Sequence, residues 1–128
     1  GFIVTLPQLV SVSDARRGLE LFKQLNVPVL GIIENMSYLV TNGDEKLDVF
    51  GKGGGKVLAT DTRVDFVGSI PLDPEVRVGG DNGEPIVVSH PHSHTAKCLL
   101  DIADTIKSLT DAQWIKLQNN SISIEIEE

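Results

Sequence analysis

Several stretches of this chain combine residue types and spacings that chemistry could use. In Val29-Leu30-Gly31-Ile32-Ile33-Glu34-Asn35-Met36-Ser37, an apolar run without polar alternation gives way to an asparagine. Unbroken Val/Ile-rich runs are buried on both faces, as inside a parallel sheet. Ligands of open α/β sheets bind at the carboxyl ends of strands. The Asn35 amide is therefore placed either to hydrogen-bond a base or to serve only the backbone of its own turn. Gly51-Lys52-Gly53-Gly54-Gly55-Lys56 has the look of a phosphate loop. A P-loop needs Gly-x-x-x-x-Gly-Lys and then Ser or Thr for magnesium. Here Val57 follows Lys56, the spacing is wrong and no buried strand leads in, so the glycines read as a flexible entry to a helix over residues 56–60. Their backbone amides remain able to attract an anion.

His90-Pro91-His92-Ser93-His94 sets three imidazoles at alternate positions, and three His can bind zinc. In a loop beside a helix start they are more often solvated, and no metal ligand is assigned. Cys98 falls on an apolar helix face as a core residue, and no base is apparent nearby to make it a nucleophile. Asp14, Asp73 and Asp81 lie at turns or helix edges, where capping is the default.

The elements that must position these residues follow in order. Phe2-Ile3-Val4-Thr5 reads as a strand that takes one neighbour from something upstream. Ser11 and Asp14 give a weak capping signal, and Val12, Ala15, Leu19, Leu21, Phe22 and Leu25 recur at helical spacing. Leu47-Asp48-Val49-Phe50 is a short edge strand, and Asp65-Phe66-Val67-Gly68-Ser69-Ile70 a second buried one. Pro74 suits a helix start, residues 79–83 a loop, and Pro85-Ile86-Val87-Val88 an extended piece. Ser93 or Thr95 opens a helix reaching about Leu109, with Leu99, Ile102, Ala103, Ile106 and Leu109 facing inward. Alternating strands and helices predict a parallel sheet wrapped by helices, an α/β fold. After Asp111, residues 114–117 and 122–127 alternate with period two, so residues 111–128 are expected to form a hairpin-like or partner-seeking tail of edge strands, outside a domain over residues 1–110.

At 128 residues the chain suffices for one domain with a core. A net charge of -7 with scattered Lys and Arg argues against a nucleic-acid surface. No apolar run approaches the roughly 20 residues that span a bilayer, so no membrane contact is expected. A single cysteine excludes an intrachain disulfide and a cysteine-pair metal site within one chain.

Taken together, Val4-Thr5-Leu6-Pro7-Gln8, Asp14, Gly31-Ile32-Ile33-Glu34-Asn35-Met36-Ser37, Phe50-Gly51-x-Gly53-Gly54-Gly55, Gly68-Ser69-Ile70-Pro71-Leu72-Asp73-Pro74 and Gly80-Asp81-x-Gly83-x-Pro85 carry a family resemblance. Over about residues 2–109 they resemble the C-terminal half of the Mrp-type iron-sulfur cluster carrier ATPases, which are MinD- and ParA-related P-loop proteins. The resemblance implies a Rossmann-like three-layer α/β/α P-loop domain. It also implies that Asn35 hydrogen-bonds adenine, that Ile70, Pro71, Leu72 and Asp73 close the other side of the base pocket, and that Asp14 lies toward a partner subunit. ATP would be the nucleotide, with Mg held by an N-terminal half, in a homodimer or heterodimer serving iron-sulfur client proteins. The expected location is the cytoplasm, or an organellar matrix or stroma.

Two departures limit what the resemblance implies. The family's phosphate loop, lysine and magnesium-coordinating carboxylate lie upstream of a segment like Phe2-Ile3-Val4-Thr5, so these 128 residues are not expected to hydrolyse ATP. The family's Cys-x-x-Cys pair falls between Tyr38 and Phe50, and that stretch contains no cysteine, which leaves an iron-sulfur cluster without its thiolates. Two alternatives stay open. One is a non-catalytic interaction module that pairs with a separate P-loop chain. The other is a MinD-like ATPase that positions partners and holds no cluster, although the acidic C-terminus lacks the basic amphipathic helix such a role would favour.

Overall fold

In the computed structural model the backbone is described over residues 1–127 and side-chain burial over residues 1–122. The strand β2 (Gly31–Glu34) is buried at all four positions. It pairs in parallel on one side with β1 (Phe2–Thr5) and on the other with β5 (Phe66–Ser69). A strand with neighbours on both edges and helices on both faces has no polar side, which is why its sequence shows no alternation.

One face is covered by α1 (Leu9–Gln24) and α2 (Gly54–Thr62). There Val12, Leu19, Leu58 and Ala59 pack on Ile3 and Ile32 to form the core. The opposite face receives α5 (His94–Glu127), whose Ile102 lies where a Cβ on Gly68 would stand, 2.8 Å away. Glycine at that position lets helix and strand approach closely. The three-layer α/β expectation therefore holds, with β2 at its centre.

Several local readings change. α1 begins at Leu9, two residues before Ser11, so Ser11 cannot cap it. Instead Ser11 Oγ accepts the Leu6 N–H at 2.9 Å and shares a hydrogen bond with Thr5 Oγ1 at 3.1 Å, which fastens the Pro7 turn to the end of β1. The strand expected over residues 47–50 is reduced to β4 (Lys46–Leu47), antiparallel to β3 (Leu39–Val40).

α3 (Pro74–Asn82) continues through the glycines read as a loop, and Gly83 ends it in the left-handed region at φ 72°. Pro85 is followed by a single helical turn, α4 (Ile86–Ser89), where an extended piece was expected. Pro85 has the φ that suits the residue ahead of a helix as well as a strand, so its presence did not discriminate.

The predicted tail of edge strands is also corrected. α5 runs unbroken from His94 to Glu127, across the boundary drawn at residue 110. No Gly or Pro occurs after Pro91. Extending an existing helix costs far less than nucleating a new element, and the local alternation is overridden. Along the helix Lys107 pairs with Asp111 at 2.6 Å, and Ser121 Oγ donates to the Leu117 carbonyl at 3.1 Å. Of the inward residues predicted on α5, Ile102 is buried and Leu99, Ile106 and Leu109 are half-buried, whereas Ala103 is exposed.

Candidate functional site

The sheet brings the carboxyl ends of β2 and β5 side by side. Glu34 is in register with Ser69, and the ladder continues beyond both strands. Ile70 N–H donates to the Glu34 carbonyl at 2.8 Å, Ser37 N–H to the Ile70 carbonyl at 3.0 Å, and Leu72 N–H to the Tyr38 carbonyl at 2.7 Å. Asn35 therefore emerges beside Ile70 and Pro71, at the same end of the sheet. Its backbone N–H donates to the Thr5 carbonyl at 2.8 Å, which ties the corner to β1 as well.

The two readings of the Asn35 side chain apply to different atoms. Its Oδ1 accepts the Met36 N–H at 2.9 Å, stabilising a turn in which Met36 sits at φ 52°. Its amide nitrogen makes no hydrogen bond among the described residues. A carbonyl oxygen has a second lone pair and the amide nitrogen two N–H groups, so the amide retains two donors and one acceptor direction for the edge of a purine.

Pro71 is buried, and Ile70, Leu72 and Asp73 are half-buried. Both oxygens of the Asp73 carboxylate are hydrogen-bonded: Oδ1 accepts from Glu75 N–H at 2.9 Å as the N-cap of α3, and Oδ2 accepts from Thr95 Oγ1 at 2.6 Å. A cavity of about 390 Å³ is lined by Pro71, Leu72 and Pro74 together with Val40, Lys46 and His94. Asn35 does not line it; the cavity adjoins the Asn35 corner through the segment 70–72.

The glycine-rich segment does hold an anion, and the anion belongs to the chain itself. Glu34, 4% exposed, points its carboxylate at the N-terminus of α2, where Oε2 accepts the Gly55 N–H at 2.7 Å and Oε1 accepts from Ser37 Oγ at 2.8 Å. Helix N-termini favour negative charge because their first N–H groups have no partner within the helix. Glycine at position 55 favours this close approach, since a Cβ there would lie 3.0 Å from both the Cβ and the Oε2 of Glu34. Sequence reasoning passed over Glu34. The signal was there in a lone carboxylate ending an otherwise apolar strand, followed by a run of glycines.

The remaining groups are dispersed. Asp14 lies on the exposed side of α1, paired with Arg17 at 3.2 Å. Asp81 pairs with Arg77 at 3.0 Å on α3. The three histidines do not converge: His90 Nδ1 contacts Ser89 Oγ at 3.0 Å, whereas His94 Nε2 contacts Tyr38 Oη at 2.8 Å. Among the described residues no three His, Cys, Asp or Glu side chains are grouped to hold a metal ion. The expectation that Cys98 has no base beside it is overturned, because His94 Nε2 is 3.6 Å from its Sγ. One turn of helix separates them, a spacing the sequence displays. Burial and the neighbouring Cys98 raise the Tyr38 phenol above its ordinary value. Beyond this corner, Leu9, Val10 and Val57 are exposed and line a groove with Phe50, Gly51 and Lys52. No helix among the described residues is long and apolar enough to cross a membrane.

Comparison with known proteins agrees with the fold. A family model described as the NUBPL iron-transfer P-loop NTPase of the ParA group matches residues 1–107. The chain is 51% identical over 106 residues to the iron-sulfur cluster carrier protein of Synechocystis, covering 81% of this chain and 30% of that protein. It is 39% identical over 105 residues to an Arabidopsis thaliana mitochondrial iron-sulfur protein required for NADH dehydrogenase, covering 81% of this chain and 34% of that one. The chain thus spans about a third of the length of the relatives it matches. Among solved structures, the cell division ATPase MinD of Pyrococcus furiosus superposes with a TM-score of 0.66 at 25% identity, covering 84% of this chain and 42% of MinD. A nucleotide-binding protein of Archaeoglobus fulgidus in complex with ADP superposes at 0.54 with 28% identity, covering 64% of this chain and 35% of that one. With a parallel sheet that superposes on MinD and a family match over most of its length, the chain belongs to the ParA-group family of NUBPL iron-transfer P-loop NTPases.

Proposed function

We propose that residues 1–110 supply the adenine side of the nucleotide pocket in an ATP-binding iron-sulfur cluster carrier of the Mrp type. The observation that carries this reading is the Asn35 amide, with its nitrogen free of hydrogen bonds among the described residues, at the same sheet end as Ile70 and Pro71. The amide reads the purine edge, and the Ile70-Pro71-Leu72 wall packs on the ring, with backbone groups of Leu72 and Asp73 at its margin. ATP is the nucleotide, with its phosphates and Mg held by the family's N-terminal P-loop. The cluster is cargo. It needs thiolates from outside the β3–β4 hairpin, whose tip Thr41-Asn42-Gly43-Asp44-Glu45 carries none.

The exposed Leu9, Val10 and Val57 groove, on the side of the molecule that includes Asp14's helix, fits the subunit face of a homodimer or heterodimer. Iron-sulfur client proteins would be its partners, in the cytoplasm or an organellar matrix.

Asn35→Ala is expected to weaken adenine-nucleotide binding by about 1–3 kcal/mol, the cost of a lost buried hydrogen bond. Calorimetric titration with ADP measures this, and unchanged affinity removes Asn35 from the site. A second reading has its own observation. Among the described residues β1 is an edge strand of a three-stranded sheet, and Val4 on it is 59% exposed, so the chain could instead serve as a module that pairs with a separate P-loop chain.

A further inference from the structure

We propose that Tyr38 Oη, His94 Nε2 and Cys98 Sγ form a mononuclear site for a divalent cation of borderline softness, in the class of zinc and ferrous iron. His94 and Cys98 stand one turn apart on α5 and share a face. Tyr38 reaches them from the loop after β2, placing its Oη 2.8 Å from Nε2, while Cys98 Sγ lies 3.6 Å from the same nitrogen. In a neutral imidazole Nε2 has one proton or one lone pair, so it makes one full hydrogen bond and leaves its second neighbour poorly served. A cation between the three atoms serves all of them, because sulfur, imidazole nitrogen and phenol oxygen each offer it a lone pair.

The spacing supports this arrangement. Zinc bonds of about 2.3 Å to sulfur and about 2.0–2.1 Å to nitrogen, meeting at a tetrahedral angle, set the two ligand atoms about 3.6 Å apart. The observed separation of 3.6 Å already fits. Tyr38 Oη must withdraw by about half an ångström to reach the corresponding oxygen position. His94 also lines the cavity of about 390 Å³, and a water molecule can complete the coordination of a four-coordinate ion. Lys46 Nζ lies 4.3 Å from the Tyr38 ring centroid, on the exposed β4 strand. With only one Cys and one His in place, the phenol is the third donor. The site requires neither nucleotide nor cluster, so it stands apart from the function proposed above.

Cobalt(II) is a spectroscopic probe for such a site. Titrated anaerobically into the reduced 128-residue chain, it is expected to bind one to one, with a thiolate-to-cobalt charge-transfer band and intense visible bands of a low-coordinate ion. Cys98→Ser should abolish the charge-transfer band. His94→Ala and Tyr38→Phe should each weaken binding about tenfold or more. Zinc should slow alkylation of Cys98 in the parent chain and leave the rate unchanged in His94→Ala, a readout that survives any weakness of the cobalt spectrum. Circular dichroism establishes that each variant remains folded. Absence of the charge-transfer band in the parent chain, or unaltered affinity in any of the three variants, overturns the three-donor site.

Discussion

Glu34→Ala is expected to lower the stability of the fold by about 3–4 kcal/mol, because it removes two hydrogen bonds to a buried carboxylate and leaves the Gly55 N–H without a partner in the interior. The same change leaves the first turn of α2 without its counter-charge. Glu34→Gln should cost only about 1 kcal/mol. The glutamine carbonyl can still accept from Gly55. Its amide can donate to Ser37 Oγ, which in turn donates to the Glu34 main-chain carbonyl, now 3.1 Å away. Equilibrium denaturation in urea measures both variants. A Glu34→Ala loss below about 1 kcal/mol would mean that water replaces the carboxylate, and the clamp would not hold α2.

Gly54→Ala is expected to destabilise by about 2–3 kcal/mol, even though alanine is the better helix former. A Cβ on Gly54 would stand inside contact distance of the Pro7 carbonyl oxygen and 2.8 Å from Val12 Cγ2. The obstacle is partly backbone, so it cannot be relieved by a rotamer change, and α2 would have to move off the turn that joins β1 to α1. Gly80→Ala supplies the contrast. Its Cβ would meet nothing within 4 Å on the exposed side of α3, and helix propensity should stabilise that variant by about 0.5–1 kcal/mol. Opposite signs at two helical glycines, read by the same thermal or urea melt, would show that close approach of backbones is what keeps Gly54.

These two expectations show which parts of the molecule a linear reading reaches. The apolar run of residues 29–33 announced a doubly buried strand because burial on both faces removes polar alternation, and β2 is that strand. That Asn35 belongs with Ile70 and Pro71 came from the family resemblance, and its physical basis is that parallel neighbours end at the same side of a sheet. The partnership of Glu34 with Gly55 did not follow, because it joins residues 21 apart and depends on where α2 comes to rest. For the same reason the glycine run could be stripped of its phosphate-loop reading but not given its real task.

At the C-terminus the error ran the other way. Residues 122–127 alternate as a strand would, yet α5 already extends through them, and local patterning yields to a helix in progress. The pairing of His94 with Cys98 needed only their helical spacing. It was missed because Cys98 was judged by its apolar neighbours, and the polar partner one turn away was not considered.

The most direct measurement of the adenine corner is a nuclear magnetic resonance titration of the isotopically labelled chain with adenosine, a ligand that carries the base without phosphates. Base contacts alone bind in about the millimolar range, so high ligand concentrations are required. The account predicts that chemical-shift changes concentrate on the Asn35 side-chain amide and on the backbone of Ile70, Leu72 and Asp73, and that guanosine produces smaller ones. Shifts centred elsewhere, or an Asn35 amide that stays still while other residues respond, would contradict it.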